Sequence, residues 1–175
     1  MFNANLKRYL VHNATTNGLA NAVCNGLICY WLIKDNGVVT WWGSSNFGGD
    51  LLATGFILPF IVTLIVIPVQ RAKLNKGKVA LIDETEVPAI MQRFLRFPKS
   101  LWANAALFGL IGALLIAGST ILLLALIGVT TFTPLQYAWF KGLWAGLLAA
   151  ILVGPMVVVA LRPAPRDISA NDTAP

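Results

Sequence analysis

The chain has 175 residues, of which 57% are hydrophobic and only 11% are charged. A soluble domain carries about 25% charged residues, so this composition argues against a soluble protein. The formal net charge of +6 could suit a nucleic-acid binder. However, the basic residues cluster between apolar stretches in the manner of a membrane protein, and nucleic acid is not an expected partner.

Four apolar stretches, each long enough to cross a hydrocarbon core of about 30 Å, divide the chain. None has the one-sided charged face of a soluble helix. We therefore predict an all-α membrane protein with four transmembrane helices, expected at 13–33, 51–69, 102–129 and 136–161. The segments are then a cytoplasmic lead-in at 1–12, a first hairpin at 13–70, a basic loop at 71–101, a second hairpin at 102–162 and a disordered tail at 163–175.

The basic residues predict the orientation of these spans. Eleven of the 13 lysines and arginines fall on one side of a four-span topology. By the positive-inside rule, both termini and the loop 71–101 are expected in the cytoplasm, with the loop against anionic lipid headgroups. Short loops and the lack of a recognisable cleavable signal favour a bacterial inner (cytoplasmic) membrane.

The first predicted span carries asparagine at every fourth position, namely Asn13, Asn17, Asn21 and Asn25. Because four residues are close to one helical turn, these carboxamides form a ladder on one face. A carboxamide facing lipid lacks a hydrogen-bond partner, so the ladder is expected to face protein, water or a ligand. It either lines a pore or ligand cavity, or supplies hydrogen bonds between helices.

Small residues recur at every fourth position on the first, third and fourth predicted spans. Such rows let helix backbones approach closely in membranes. We expect these three spans to pack closely through Gly18, Gly26, Gly109 and Gly146.

The basic loop contains a second amphipathic pattern after Pro88. Apolar and basic residues alternate over 90–96, which predicts a short helix lying on the inner membrane surface. A cytoplasmic extension of the third span is the alternative.

The two hairpins match each other at a constant offset of 91 residues, which indicates an internal duplication. The offset aligns Asn13 with Asn104, Gly18 with Gly109, Ala22 with Ala113, Gly55 with Gly146, and Arg71 with Arg162. Two tandem hairpins of the same orientation would be related by a pseudo-two-fold axis along the membrane normal. The ladder belongs to one half, since Asn17, Asn21 and Asn25 correspond to Phe108, Gly112 and Ile116.

An acidic and a basic residue, Asp50 and Lys141, occupy equivalent positions in the two halves. A cation within a span is costly unless it pairs or reaches the headgroups. We predict an Asp50–Lys141 ion pair at the outer mouth of the bundle. Two alternatives remain open: Asp50 could cap the second helix, and Lys141 could extend to the outer headgroups.

The residues give little support to catalysis. The sequence has one histidine, His12, and no nucleophile triad, P-loop or cluster with metal-ligand spacing. We therefore expect no enzyme activity, no metal and no cofactor.

Since four spans enclose little volume, we predict a homo-oligomeric channel or transporter subunit for a small polar or ionic solute. The alternative is a non-transporting accessory or assembly subunit whose ladder docks a helix of a partner membrane subunit.

Overall fold

The computed structural model describes residues 4–163, and their regular structure is almost entirely helical. The five α-helices are α1 (Ala4–Ile33), α2 (Phe47–Asn75), α3 (Leu101–Leu110), α4 (Gly118–Leu126) and α5 (Pro134–Leu161). A π-helical segment (Ile111–Ala117) joins α3 to α4, and the three form one rod, Leu101–Leu126. The remaining elements are the 3-10 helices Glu84–Glu86 and Ala89–Arg96 and the strands β1 (Val39–Thr40) and β2 (Thr131–Phe132).

Within residues 4–163, three helices are long and apolar enough to cross a membrane: α2, the α3–α4 rod and α5. The fold is therefore compatible with a membrane protein. α1 has 30 residues, or ~45 Å of helix, but its asparagines make it less apolar than the other three. Its place as a fourth span stays a prediction.

The helices follow the spatial order α1, α5, α2, α3–α4 rod. α1 packs along α5 in the opposite direction, because Gly18 lies beside Gly146 while Gly26 lies beside Gly142. A methyl group built at Gly146 would lie 2.7 Å from the Cβ of Ala22, so only glycine permits this approach. Small residues thus bring the two backbones into close contact.

The α3–α4 rod packs mainly on α2, which differs from the expected close packing of the first, third and fourth spans. Gly109 faces the ring of Phe56, and Gly112 faces the carbonyl oxygen of Gly55. That carbonyl has lost its usual helical donor, because Pro59 has no N–H group. Gly109 therefore lies at a close helix contact, and the neighbouring helix there is α2.

The helix boundaries differ from the predicted ones at the end of the bundle that holds the basic loop. We call this the inner end and the opposite end the outer end, after the predicted orientation. The lead-in is helical from residue 4, so α1 begins nine residues earlier than the predicted span. α2 continues past position 70 to Asn75. The predicted disordered tail at 163–175 lies, apart from Pro163, outside the described residues.

The two outer connections meet in a short antiparallel pair of strands. Val39 lies opposite Phe132 and Thr40 opposite Thr131. Phe47, which is fully buried, packs against the rings of Phe132 and Tyr137 beneath the pair. The pair and this aromatic cluster fix the outer ends of α2 and α5 to each other.

At the inner end, Arg162 holds the 3-10 helix Ala89–Arg96 against the end of α5. Its guanidinium donates to the carbonyl oxygens of Leu95 (3.0 Å), Phe97 (2.5 Å) and Pro98 (2.8 Å). Burial, followed by the charge of Arg71, lowers the pKa of Arg162 from its ordinary value, but arginine stays protonated in proteins. The 3-10 helix is separate from α3, and its position on a membrane surface stays a prediction.

Candidate functional site

A groove of about 420 Å³ separates α1 from α2. One wall is polar and carries Asn17, Asn21 and Asn25 of α1. The opposite wall belongs to α2 and is apolar except for Asp50 and Thr54. Its apolar residues are Ala53, Ile57, Leu58, Ile61, Val62, Ile65 and Val66. We call this space the asparagine groove.

The asparagines are held in a row by their own helix. Each Nδ2 donates to the backbone carbonyl oxygen four residues earlier: Asn13 to Tyr9 (2.8 Å), Asn17 to Asn13 (2.9 Å), Asn21 to Asn17 (2.9 Å) and Asn25 to Asn21 (3.0 Å). This bond to the preceding turn orients each side chain without a second helix. The Oδ1 atoms of Asn17, Asn21 and Asn25 accept no hydrogen bond from residues 4–163.

Asn13 lies outside the groove, in a closed polar cluster. Its Oδ1 accepts a hydrogen bond from Nε2 of Gln70 at 2.9 Å, and Oε1 of Gln70 accepts one from the Tyr9 hydroxyl at 2.5 Å. Asn13 and Gln70 are both buried. The ladder thus divides into one asparagine that joins α1 to α2 and three that face the groove.

Asp50 and Lys141 lie together at the outer end of the groove. Nζ of Lys141 is 2.6 Å from Oδ1 of Asp50, and the Tyr137 hydroxyl donates to Oδ2 of the same carboxylate. The Lys141 side chain is 13% exposed, so most of it is covered by the protein. The N-cap of α2 is Asn46, whose side chain accepts from the Gly49 N–H, and Asp50 lies in the first turn.

A second cavity of about 460 Å³ adjoins the groove on the side of the outer loop. Asp50 and Ala53 line both spaces, whereas Lys141 and Tyr137 line only the second. Asn36, Ser44 and Ser45 make its outer rim polar. The two spaces therefore meet at Asp50, with the polar rim of the second cavity on one side and the row of asparagines on the other.

Of the residues predicted for the site, the structure brings together Asn17, Asn21, Asn25 and Asp50 along the groove, with Lys141 adjoining. The glycines Gly18, Gly26, Gly109 and Gly146 lie at helix contacts away from it. The prediction did not include Gln70 or Tyr137. Tyr137 precedes Lys141 by four residues and shares its helix face, which was a usable signal. No comparable spacing links Gln70 to Asn13, which lie 57 positions apart.

Residues 4–163 contain no group of three metal-ligating side chains. Cys24 is exposed and Cys29 is buried, and neither forms a disulfide.

Comparison of the chain with protein-family models, curated proteins and solved structures finds no match.

Proposed function

We propose that this chain is a subunit of an oligomeric membrane channel or transporter for a small polar or ionic solute. The asparagine groove forms part of the solute path. One observation carries the proposal: three carboxamide oxygens and a carboxylate line an open groove beside helices that are apolar enough to cross a membrane. Polar groups without partners at that depth are costly unless a solute, water or another subunit meets them.

The packing of α1 supports a four-span topology. α1 lies antiparallel to α5 from Gly18 to Gly26, and α5 is one of the helices apolar enough to cross. This contact favours a position of α1 in the same layer as α5, and the 30 residues of α1 are enough to cross that layer. The exposed row Leu19, Val23 and Leu27 gives α1 an apolar face for lipid.

Contacts between equivalent positions support the two-hairpin repeat. In a structure with two-fold symmetry, a residue near the axis contacts the residue at the equivalent position of the other half. Asp50 meets Lys141, and Thr40 pairs with Thr131, in each case at the offset of 91. The close approaches of Gly55 to Ala113 and of Gly146 to Ala22 are likewise related by this offset.

The second half supports a specific role for the groove, because bulky side chains fill the equivalent region. Ala53, which lines the groove, corresponds to Trp144, whose Nε1 donates to Thr120 at 2.9 Å. Asn17 corresponds to Phe108, which is fully buried against Phe94 and Phe97. Packing alone would favour filled grooves in both halves, since interiors are close-packed.

The open side of the groove supports oligomerisation. Ile57, Ile61 and Ile65 of its apolar wall are 52%, 48% and 57% exposed, so this chain does not close the path by itself. A second copy would complete the wall.

The excess of basic residues around the inner ends supports cytoplasmic termini and contact with anionic headgroups. A bacterial inner membrane remains our expected location.

Filling the groove tests the proposal. Ala53→Trp introduces the side chain that the second half carries at the equivalent position. Ala20→Trp, at an exposed position of α1 outside the groove, is the matched control. In proteoliposomes we expect solute flux with the wild type and the control, and its loss with Ala53→Trp in a correctly assembled protein. Equal flux for both variants would exclude the groove as the path.

The accessory-subunit alternative is favoured by one feature of α2. Ile57, Ile61 and Ile65 form an exposed apolar row with helical spacing, as in a groove that accepts a helix. If the groove docks a partner helix, Ala53→Trp releases that partner from the purified complex. The chain alone then shows no flux in any variant.

A further inference from the structure

The polar wall of the asparagine groove is rich in hydrogen-bond acceptors. Each Nδ2 of Asn17, Asn21 and Asn25 already uses one N–H on the backbone, whereas each Oδ1 keeps both lone pairs free of partners within residues 4–163. The carboxylate of Asp50 and the hydroxyl of Thr54 add further oxygens. A ligand with donors therefore meets more partners here than a ligand with acceptors.

The groove is lined by one member of an ion pair that is formally neutral as a whole. Asp50 is the one ionised side chain among the described residues that line it. Lys141 contacts Oδ1 of the same carboxylate from the second cavity and compensates its formal charge. The Tyr137 hydroxyl donates to Oδ2, so a cation in the groove reaches this carboxylate only in competition with Lys141 and Tyr137.

The apolar wall, which belongs to α2, favours a ligand that has an apolar part. It consists mainly of isoleucine, leucine and valine side chains from Ile57 to Val66. A fully hydrated metal ion gains nothing from such a wall, whereas an amphipathic molecule buries apolar surface against it. The volume of about 420 Å³ lies within the usual range of small-molecule sites.

We propose that the groove binds an amphipathic organic cation, a protonated amine with an apolar body, whose ammonium group lies between Asp50 and the asparagine carboxamides. Lys141 acts as an internal competitor for the same carboxylate. This inference rests on the proposed function, in that it names the class of solute for the same groove.

Three ligands with the same ring test the charge preference. Benzylammonium is cationic, benzyl alcohol is neutral and benzoate is anionic. Binding is measured by titration calorimetry on the full chain in nanodiscs, with empty nanodiscs as the blank. We expect saturable binding of benzylammonium and only the heat of the blank for the other two. Saturable binding of benzoate, or the absence of benzylammonium binding, would overturn the proposal.

The charge variants test the position of the cation. Lys141→Gln removes the competing ammonium, and we expect it to raise the affinity for benzylammonium about tenfold. Asp50→Asn alone leaves a lysine without its counter-ion and could unfold, so the paired variant Asp50→Asn/Lys141→Gln is used to remove both charges. We expect this paired variant to bind at least about tenfold more weakly than Lys141→Gln. Equal affinities in these two variants would show that Asp50 does not hold the cation.

The binding experiment tests the cation site, and the flux experiment tests the transport function, so a negative result in one does not decide the other. Flux of some solute without binding of benzylammonium overturns the inference and leaves the transport function intact. Binding of benzylammonium that depends on Asp50, without flux of any solute, overturns the transport function and leaves the cation site.

Discussion

At the scale of single residues, the Asp50–Lys141 pair combines a partly exposed carboxylate with a nearly buried ammonium. We expect Asp50→Asn and Lys141→Gln each to lower the free energy of unfolding by about 1–3 kcal/mol, because each leaves one charge without its partner. The double variant should lose less than the sum of the two. Denaturation in micelles measures the cycle, with exposed Asp35→Asn as the control at about 0.5 kcal/mol or less. Strict additivity would mean that the contact contributes nothing.

The asparagines differ in a way that stability measurements can detect. Gln70→Leu removes the partner of the buried Asn13 carbonyl, and we expect a loss of about 1–2 kcal/mol in the free energy of unfolding. Asn21→Leu removes a side chain that bonds only its own helix, and we expect a change within about 0.5 kcal/mol. A larger loss for Asn21→Leu than for Gln70→Leu would reverse our assignment of structural and lining asparagines.

These residues also mark the limit of what the sequence could predict. The four-residue spacing places the ladder on one helix face, and hydrophobicity requires that face to avoid lipid. Neither argument distinguishes Asn13 from Asn21, because the difference depends on Gln70 and Tyr9 reaching Asn13 in the folded protein. The contact between Asp50 and Lys141 was anticipated from the proposed internal repeat, which relates their positions.

At the scale of secondary-structure elements, the α3–α4 rod depends on glycine where it meets α2. A methyl group at Gly112 would lie 2.1 Å from the carbonyl oxygen of Gly55 and 2.7 Å from Cγ of Pro59. We expect Gly112→Ala to lower the free energy of unfolding by about 1–3 kcal/mol, because the two backbones must separate. Gly37→Ala, which meets nothing within 4 Å, is the matched control. Equal stability of the two variants would show that α2 and the rod adjust without cost.

The small-residue rows predicted that such contacts exist but not which helices share them. Helical periodicity marks the face that packs, and any span with a matching row can fill the opposite side. The π-helical segment Ile111–Ala117 has no distinguishing sequence pattern, since an apolar run of this kind is compatible with a regular α-helix. It lies at the contact with Gly55 and Pro59, where α2 itself departs from regular helical bonding.

At the scale of the whole molecule, the decisive question is whether α1 crosses the membrane with α5. Single cysteines at exposed positions, in a Cys24→Ala/Cys29→Ala background, report which side each end occupies. We expect Lys34→Cys to react with an impermeant maleimide from outside the cell, and Lys7→Cys and Lys76→Cys to react only after permeabilisation. The reason is that α1 lies antiparallel to the apolar helix α5 over Gly18–Gly26, and the positive-inside rule predicts a cytoplasmic location for its basic start.

The pattern of labelling separates the alternatives for the whole fold. If α1 lay along a membrane surface, Lys7→Cys and Lys34→Cys would react from the same side, and the four-span bundle would be wrong. If Lys7→Cys and Lys76→Cys reacted from outside while Lys34→Cys did not, the four-span bundle would be correct but its orientation in the membrane would be reversed. Ser44→Cys, in the outer loop beside the second cavity, should react together with Lys34→Cys. Only in that arrangement does the route past Asp50 open toward the outside.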